Sequence, residues 1–367
     1  MSSNVLPVGS SSSLTPRLHS LTGLRFFAAL AVFGFHGLHY GAQGGGFELF
    51  AAGMSGVSFF YIVSGFVMGW TSREDDTPSL FYRRRLARIY PSYVMAWAMT
   101  LVLMILGQRS IGVVDFLPLT LLQSWVPSET VYFAASAVFW SLSCEAFFYL
   151  VFPWIFPALR RLTVRGALTG IVAIVLLLAG LALALAPFFD SSVVFWFLVI
   201  FPPVRLLEFV AGILLALLVK RGAQLPFPLW AATSLALGSF VAAGFAPPTF
   251  TRVVVTLVPF MLLVWSSAQA DLSRTRSVFR NPAIVRLGVW SYGFYLVHTQ
   301  VMTVWFQGLG FAGIAAGDLS GLPLFAALAG ALVAATATAA AIFSWIEQPL
   351  ERRLRPKNVP VPARRGH

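Results

Sequence analysis

Residues 21–40 read LTGLRFFAALAVFGFHGLHY, and this stretch decides the class of fold. The run is apolar and long enough to cross a hydrocarbon core of about 30 Å as a helix. Two ionisable side chains interrupt it, Arg25 near its start and His36 eleven residues later. A charge at bilayer depth costs about 2.5–3.5 kcal/mol on insertion scales, so a retained one indicates a functional site. Other apolar stretches are interrupted in the same way, by Glu145, Glu208 and His298.

The composition excludes a soluble globular domain. The 367 residues are 58% hydrophobic and 10% charged, with a mean hydropathy of +0.81. Lipid offers the backbone no hydrogen-bond partner, so each spanning run must be a helix. The sequence therefore predicts an all-α, polytopic integral membrane bundle of about ten transmembrane helices. The ten apolar runs lie at about 24–41, 53–70, 89–107, 138–158, 166–186, 194–219, 228–246, 251–269, 286–306 and 323–346.

The basic residues indicate the orientation of the chain. If the N-terminus is cytoplasmic and the runs alternate, 22 of the 25 Lys and Arg residues face the cytoplasm. Such a bias is the positive-inside rule, so both termini are predicted to be cytoplasmic. The net charge of +12 is then explained by topology and by contact with anionic membrane lipids, and no nucleic-acid partner is expected. The three exceptions are Arg109, Arg205 and Arg252.

The chain is predicted to be one membrane domain, residues 21–350, between a polar N-terminal tail (1–20) and a basic cytoplasmic tail (351–367). The first apolar run is expected to be a retained transmembrane helix rather than a cleaved signal. Cys144 is the single cysteine, which excludes an intrachain disulfide and a cysteine-based metal site. No metal and no permanently bound cofactor are expected.

The ionisable residues within the apolar runs are candidates for chemistry. His36 lies about 16 Å further along its helix than Arg25. A histidine can act as a general base on a bound hydroxyl, and Glu145 could orient its ring or take the proton itself. Glu208 and His298 fall in neighbouring layers, so we expect the four acid–base side chains to line one cavity. The alternative for a lone buried histidine is a packing role.

A second cluster lies in Phe81–Pro91, FYRRRLARIYP. Arg85 and Arg88 share one face if this stretch is helical, and Arg84 adds to the positive charge. Guanidinium groups suit phosphate oxygens, so a phosphorylated cytosolic ligand is expected, with lipid headgroups as the alternative. Two hydroxyls are weaker candidates for lining the site, with close helix packing as their alternative role: Ser64 and Tyr295.

Seven segments, in order, resemble the membrane acyltransferase-3 family of O-acyltransferases. The resemblance covers about residues 18 to 355, nearly the whole chain. It implies that the domain of residues 21–350 is a ten-helix bundle that moves an acyl group, acetyl by default, from cytosolic acyl-CoA to a hydroxyl. The segments are TGLRFFAALAVFGFHG, GVSFFYIVSGFVMGW, FYRRRLARIYP, WSLSCEAFFYLVFP, RLLEFVAGILLA, WSYGFYLVH and WIEQPLERRL.

The resemblance also implies roles for individual residues. Arg25 and His36 match the family's Arg-x10-His motif, which makes His36 the catalytic base and Arg25 its catalytic partner. Arg85 and Arg88 match the Arg-x-x-Arg motif, which is linked to acyl-CoA use. Glu145 occupies the acidic position of the Ser-Leu-x-x-Glu element. Direct transfer and a route through an acylated histidine both remain open.

The acceptors implied by the resemblance are hydroxyl-bearing glycans of the cell envelope, lipid-linked sugars or macrolide-type metabolites. A bacterial inner membrane is the expected location. Some relatives carry an additional soluble hydrolase-like domain after the bundle, and any step that this domain supplies is expected to be absent here or to be done by a separate partner protein. The rival hypothesis is a membrane transporter, because intramembrane His, Glu and Arg also form substrate and proton pathways.

Overall fold

The computed structural model describes residues 16–38, 40, 50–72, 77–188, 191–246 and 254–354. Helices dominate these ranges, and no strand occurs in them, which confirms the predicted all-α class. Ten helices have between 16 and 30 residues. They are α1 (His19–Gly37), α2 (Ser55–Thr71), α3 (Pro78–Leu106), α4 (Trp140–Leu159), α5 (Val164–Leu185), α6 (Pro202–Lys220), α7 (Leu229–Gly244), α8 (Val254–Leu272), α9 (Pro282–Phe311) and α10 (Gly321–Ile342).

Seven helical segments of the described chain are long and apolar enough to cross a membrane. Helices α2 and α7 are apolar but shorter. Helix α9 is 30 residues long. It is not among the seven segments, because its polar side chains lower its mean hydropathy. The chain is therefore an integral membrane protein, and the count of ten crossings and the cytoplasmic termini stay predictions.

Local sequence signals explain where the two longest described helices begin. Thr77 accepts a hydrogen bond from the Leu80 amide at 3.4 Å and precedes Pro78, so α3 starts eleven residues before the predicted span at 89. The arginine cluster is therefore helical. In α9, Asn281 accepts from the Ala283 amide at 2.9 Å and is followed by a proline in the first turn. This helix carries Tyr295 and His298 toward the centre of the bundle.

Helices α2 and α6 form the centre of the bundle and pack on each other more extensively than any other pair. Two glycines permit the crossing. A Cβ added at Gly65 would overlap the Phe209 carbonyl oxygen, and one at Gly212 would overlap that of Ile62. Small residues at such crossings let two backbones approach closely, which replaces the hydrophobic driving force that lipid does not provide.

Helices α1, α9 and α10 form a second packed group beside this centre. Its buried core includes Phe33 of α1, Phe294 of α9 and Leu328 of α10. The contact between α1 and α9 runs along both helices and brings their histidines together. The positions of His36 and His298 are thus set by helix packing rather than by a loop.

The segment between α3 and α4 packs into the bundle. Tyr93 of α3 donates to the Pro118 carbonyl at 2.8 Å. Gln123 and Ser124 are fully buried and donate to the Phe139 and Trp140 carbonyls at 2.8 and 2.7 Å. These bonds attach the segment to the start of α4, the helix that carries Glu145.

Candidate functional site

A polar cavity lies between helices α1, α2, α3, α4 and α9. It encloses about 100 Å³, which is room for several water molecules. Each of the five helices contributes at least one side chain that can carry a charge or form a hydrogen bond. These side chains are Arg25, Ser64, Arg85, Arg88, Glu145 and Tyr295.

Three arginines give the cavity a positive charge. Arg85 lies with its guanidinium carbon 5.5 Å from the centre of the Phe81 ring and 5.9 Å from that of Tyr149. Its Nε atom is buried without a hydrogen-bond partner among the described residues. Arg88 is exposed, which places it where the cavity opens, and Arg25 lies 5.9 Å from the Phe60 ring centre on the α1 side. The arrangement suits an anionic ligand with several oxygens.

Glu145 is the one carboxylate that lines this cavity, and two hydroxyls hold it. Ser64 donates to its Oε1 atom at 3.2 Å, and Tyr149, one turn further along α4, donates to the same atom in a short hydrogen bond. The hydroxyls of Ser64 and Tyr149 are 3.1 Å apart and close the triangle. The negative charge of a carboxylate held in this way partly balances that of Arg25 and Arg85.

Tyr295 links the cavity to the histidines. Its ring lines the cavity and packs edge-on against Phe60, with ring centres 5.8 Å apart. Its hydroxyl lies 2.7 Å from the Ser141 hydroxyl, which itself donates to the Val138 carbonyl. The Tyr295 backbone carbonyl lies 2.8 Å from His298 Nδ1. The two aromatic rings therefore form the part of the wall next to the histidine pair.

His36 and His298 form a close pair outside the set of residues that line the cavity. His36 Nδ1 lies 3.0 Å from His298 Nε2 and 3.1 Å from the Val32 carbonyl oxygen. His298 is fully buried, and its ring stacks on Phe294 with centres 5.8 Å apart. His36 is half-buried. The pair unites one ionisable residue of α1 with one of α9.

The predicted cavity of four acid–base residues is therefore wrong in its membership. Only Glu145 of the four lines the cavity described above. Glu208 is fully buried on α6 and forms an ion pair with Arg205 at 3.1 Å, one helical turn away. Arg205 also donates to Ser58 at 3.0 Å and is buried, so it belongs to the helix core.

The structure also bears on Arg84, on His298 and on the partner of His36. Arg84 does not line the cavity, because the helical rotation of α3 turns Arg85 and Arg88 toward it instead. His298 does not line it either, since its ring faces His36. The proposed orientation of His36 by Glu145 is replaced by a contact with His298. The sequence interpretation missed Tyr149, although its position four residues after Glu145 is the spacing at which helical neighbours meet.

The described residues include no group of three or more His, Cys, Asp or Glu side chains that could hold a metal ion. Cys144 is buried and contacts the Ile200 carbonyl at 3.2 Å. The side chains of the cavity and of the histidine pair beside it carry guanidinium, carboxylate, phenol, hydroxyl and imidazole groups.

A helical membrane protein with a cationic cavity beside a histidine pair fits a transferase that handles an anionic donor. A family model described as an acyltransferase domain matches residues 18–344. The chain belongs to the membrane acyltransferase-3 family. No solved structure matches it.

Three curated relatives match most of the chain. Acyltransferase MdmB of Streptomyces mycarofaciens is 35% identical over 78% of this chain and 79% of its own length. The exopolysaccharide production protein ExoZ of Rhizobium meliloti (strain 1021) is 30% identical over 84% of this chain and 93% of its own. Nodulation protein 10 of Rhizobium leguminosarum bv. viciae is 28% identical over 76% and 81%.

Proposed function

We propose that this protein is an acyl-CoA-dependent O-acyltransferase that moves an acyl group, most simply acetyl, to a hydroxyl of a sugar-containing acceptor. The observation that carries the proposal is the convergence of Arg25, Arg85 and Arg88 on one cavity next to the His36–His298 pair. The cavity supplies charge for a phosphorylated donor, and the pair supplies a base. Membership of an acyltransferase family gives the reaction class.

The donor would bind through its phosphates to the arginines. The enclosed space of about 100 Å³ is too small for a whole acyl-CoA, so the nucleotide would remain at the mouth near Arg88. The unpartnered Nε of Arg85 is available to bond an oxygen of the donor. The narrow pantetheine arm would enter the cavity and bring the thioester toward Tyr295.

The transfer would take place where the cavity wall meets the histidines. His36 would accept the proton of the acceptor hydroxyl, whose oxygen would attack the thioester carbonyl. The carbon–sulfur bond would break, and the proton would pass from His36 to the departing thiolate to give free CoA. Arg25, about 16 Å from His36 along α1, would add to the positive charge that binds the donor and would assist the transfer electrostatically. Glu145, held by Ser64 and Tyr149, would keep the arginines in place.

The acceptor follows from the relatives in outline only. The name of ExoZ concerns exopolysaccharide production, and this supports a glycan or a lipid-linked sugar as acceptor. The name of the Streptomyces relative gives the reaction class alone, and a small glycosylated metabolite such as a macrolide is the second acceptor class that we propose. The relatives are bacterial proteins, so the protein would act in the bacterial inner membrane. A separate partner protein could deliver the acceptor.

The test is turnover by the purified protein in lipid nanodiscs. Acetyl-CoA is supplied with a panel of sugar and macrolide acceptors, and free CoA is measured with a thiol reagent. We expect acceptor-dependent release of CoA, lost in His36→Ala and kept in His19→Ala. His19 is the matched control, because it is an exposed histidine at the other end of α1. If acetyl-CoA neither binds nor is consumed with any acceptor, the proposal is wrong and transport becomes the better hypothesis.

A further inference from the structure

The contacts of the histidine pair determine which ring nitrogen carries each proton. His298 Nδ1 lies 2.8 Å from the Tyr295 carbonyl oxygen, and His36 Nδ1 lies 3.1 Å from that of Val32. A carbonyl oxygen can only accept a hydrogen bond, so each Nδ1 must carry a proton. The Nε2 atom of a neutral His298 then has a lone pair.

The remaining contact of the pair follows from this assignment. His36 Nδ1 and His298 Nε2 are 3.0 Å apart. The Nδ1 proton of His36 is therefore shared between the Val32 carbonyl and His298 Nε2. A neutral His36 with its proton on Nδ1 has its lone pair on Nε2, which is the atom that can act as a base.

We propose that His298 is the positioning residue of the site, and that its Nε2 atom accepts a hydrogen bond from His36 Nδ1–H and so fixes His36 in the tautomer with Nε2 as the base. The inference rests on the proposed role of His36 as base. His298 touches no reacting atom in this account. It acts through His36, in the way that a carboxylate or carbonyl partner orients a catalytic imidazole.

The packing around His298 suits such a role. The residue is fully buried, and the rings of Phe33, Phe294 and Tyr295 surround it with centres 5.8 to 6.2 Å away. Stacking on Phe294 at an interplanar angle of 9° restricts the rotation of the imidazole. The neutral ring is the form that can accept a hydrogen bond from His36. Once His36 has taken a proton from the acceptor, the same bond stabilises the imidazolium.

Two variants separate the hydrogen bond from the packing. His298→Phe keeps an aromatic ring against Phe294 and removes the acceptor. His298→Gln places an amide oxygen near the position of Nε2 and restores it. We expect kcat to fall about 10- to 100-fold in His298→Phe, with KM for acetyl-CoA within about twofold, because partners of this kind have effects of that size. His298→Gln should recover at least about half of that loss on a logarithmic scale.

A nitrogen NMR measurement tests the tautomer without any need for turnover. The chain has five histidines, so ¹⁵N-histidine spectra in nanodiscs can be assigned by comparison with His36→Ala. We expect His36 to carry its proton on Nδ1 in the native protein and to become a mixture of tautomers in His298→Phe. A native His36 with its proton on Nε2 overturns the inference, whether or not the protein proves to be an acyltransferase.

The kinetic results can also contradict it. A kcat within twofold of the native value in His298→Phe means that His36 needs no such partner. An equal loss in His298→Phe and His298→Gln, together with weaker binding of acetyl-CoA in both, means that His298 serves the packing of α9 alone. If His298→Phe fails to fold, the ¹⁵N spectrum of the native protein and the kinetics of His298→Gln still test the inference.

Discussion

Replacing Arg85 by glutamine should weaken the binding of acetyl-CoA without unfolding the protein. Arg85 lines the cavity, and its Nε atom is buried with no hydrogen-bond partner in the described chain. Glutamine has a similar apolar stem and can still donate a hydrogen bond, but it lacks the charge. A hydrogen bond to a charged group contributes about 1.5–3 kcal/mol, and each 1.4 kcal/mol is about a factor of ten in Kd. We therefore expect Kd to rise about 10- to 150-fold.

The assay is calorimetric titration of nanodisc-embedded protein with acetyl-CoA at one fixed salt concentration. Arg83→Gln is the matched control, because Arg83 is exposed, lies two residues away and carries the same charge. Exposed charges contribute about 1 kcal/mol or less, so this control should change Kd by less than about fivefold. Equal weakening in both variants would show that general attraction to a basic surface, rather than the cavity, binds the donor. An unchanged Kd in Arg85→Gln would refute the assignment outright.

Two further substitutions test the supports of the site. Tyr149→Phe removes the hydroxyl that donates to Glu145. The loss of this hydrogen bond to a charged group, about 1.5–3 kcal/mol, should lower kcat/KM about tenfold or more. An unchanged kcat/KM would contradict the role of Tyr149. Gly212→Ala forces a methyl group against the Ile62 carbonyl and should destabilise the bundle by about 1–3 kcal/mol. Thermal unfolding measures this, and Gly180→Ala, which meets nothing within 4 Å, should unfold at the native temperature or slightly above.

The positions of the helices could be predicted from hydropathy because lipid leaves the backbone no other choice. Each of the ten apolar runs overlaps one of the ten long helices of the described chain. The ends of the helices were harder to predict. Helix α3 starts at Pro78, well before the apolar run, because its first turns carry arginines that hydropathy excludes although they are good helix formers.

The partners within the site could be predicted only where they share a helix. Tyr149 and Glu145 are four residues apart, and Arg205 and Glu208 are three apart, so both contacts follow from helical geometry. The second spacing also explains why Glu208 does not line the cavity. Its charge is already balanced by a neighbour on its own helix.

The pairing of His36 with His298 could not be predicted in this way. It depends on the rotation of α1 and α9 about their axes and on their relative height, which no local spacing determines. Depth arithmetic places both residues within the bilayer and leaves Glu145 as one possible partner of His36. A shift of one residue in either helix would turn an imidazole away by about 100°.

The most direct test of the account is to measure donor binding and turnover on the same preparations of His36→Ala and Arg85→Gln. The account separates the donor cavity from the base. It predicts that His36→Ala binds acetyl-CoA with a Kd within about twofold of the native value and releases no CoA in the presence of any acceptor. Arg85→Gln, in contrast, is predicted to bind acetyl-CoA more weakly than the native protein. If His36→Ala loses donor binding as severely as Arg85→Gln, or still transfers the acyl group at the native rate, His36 is not the base and the account is contradicted.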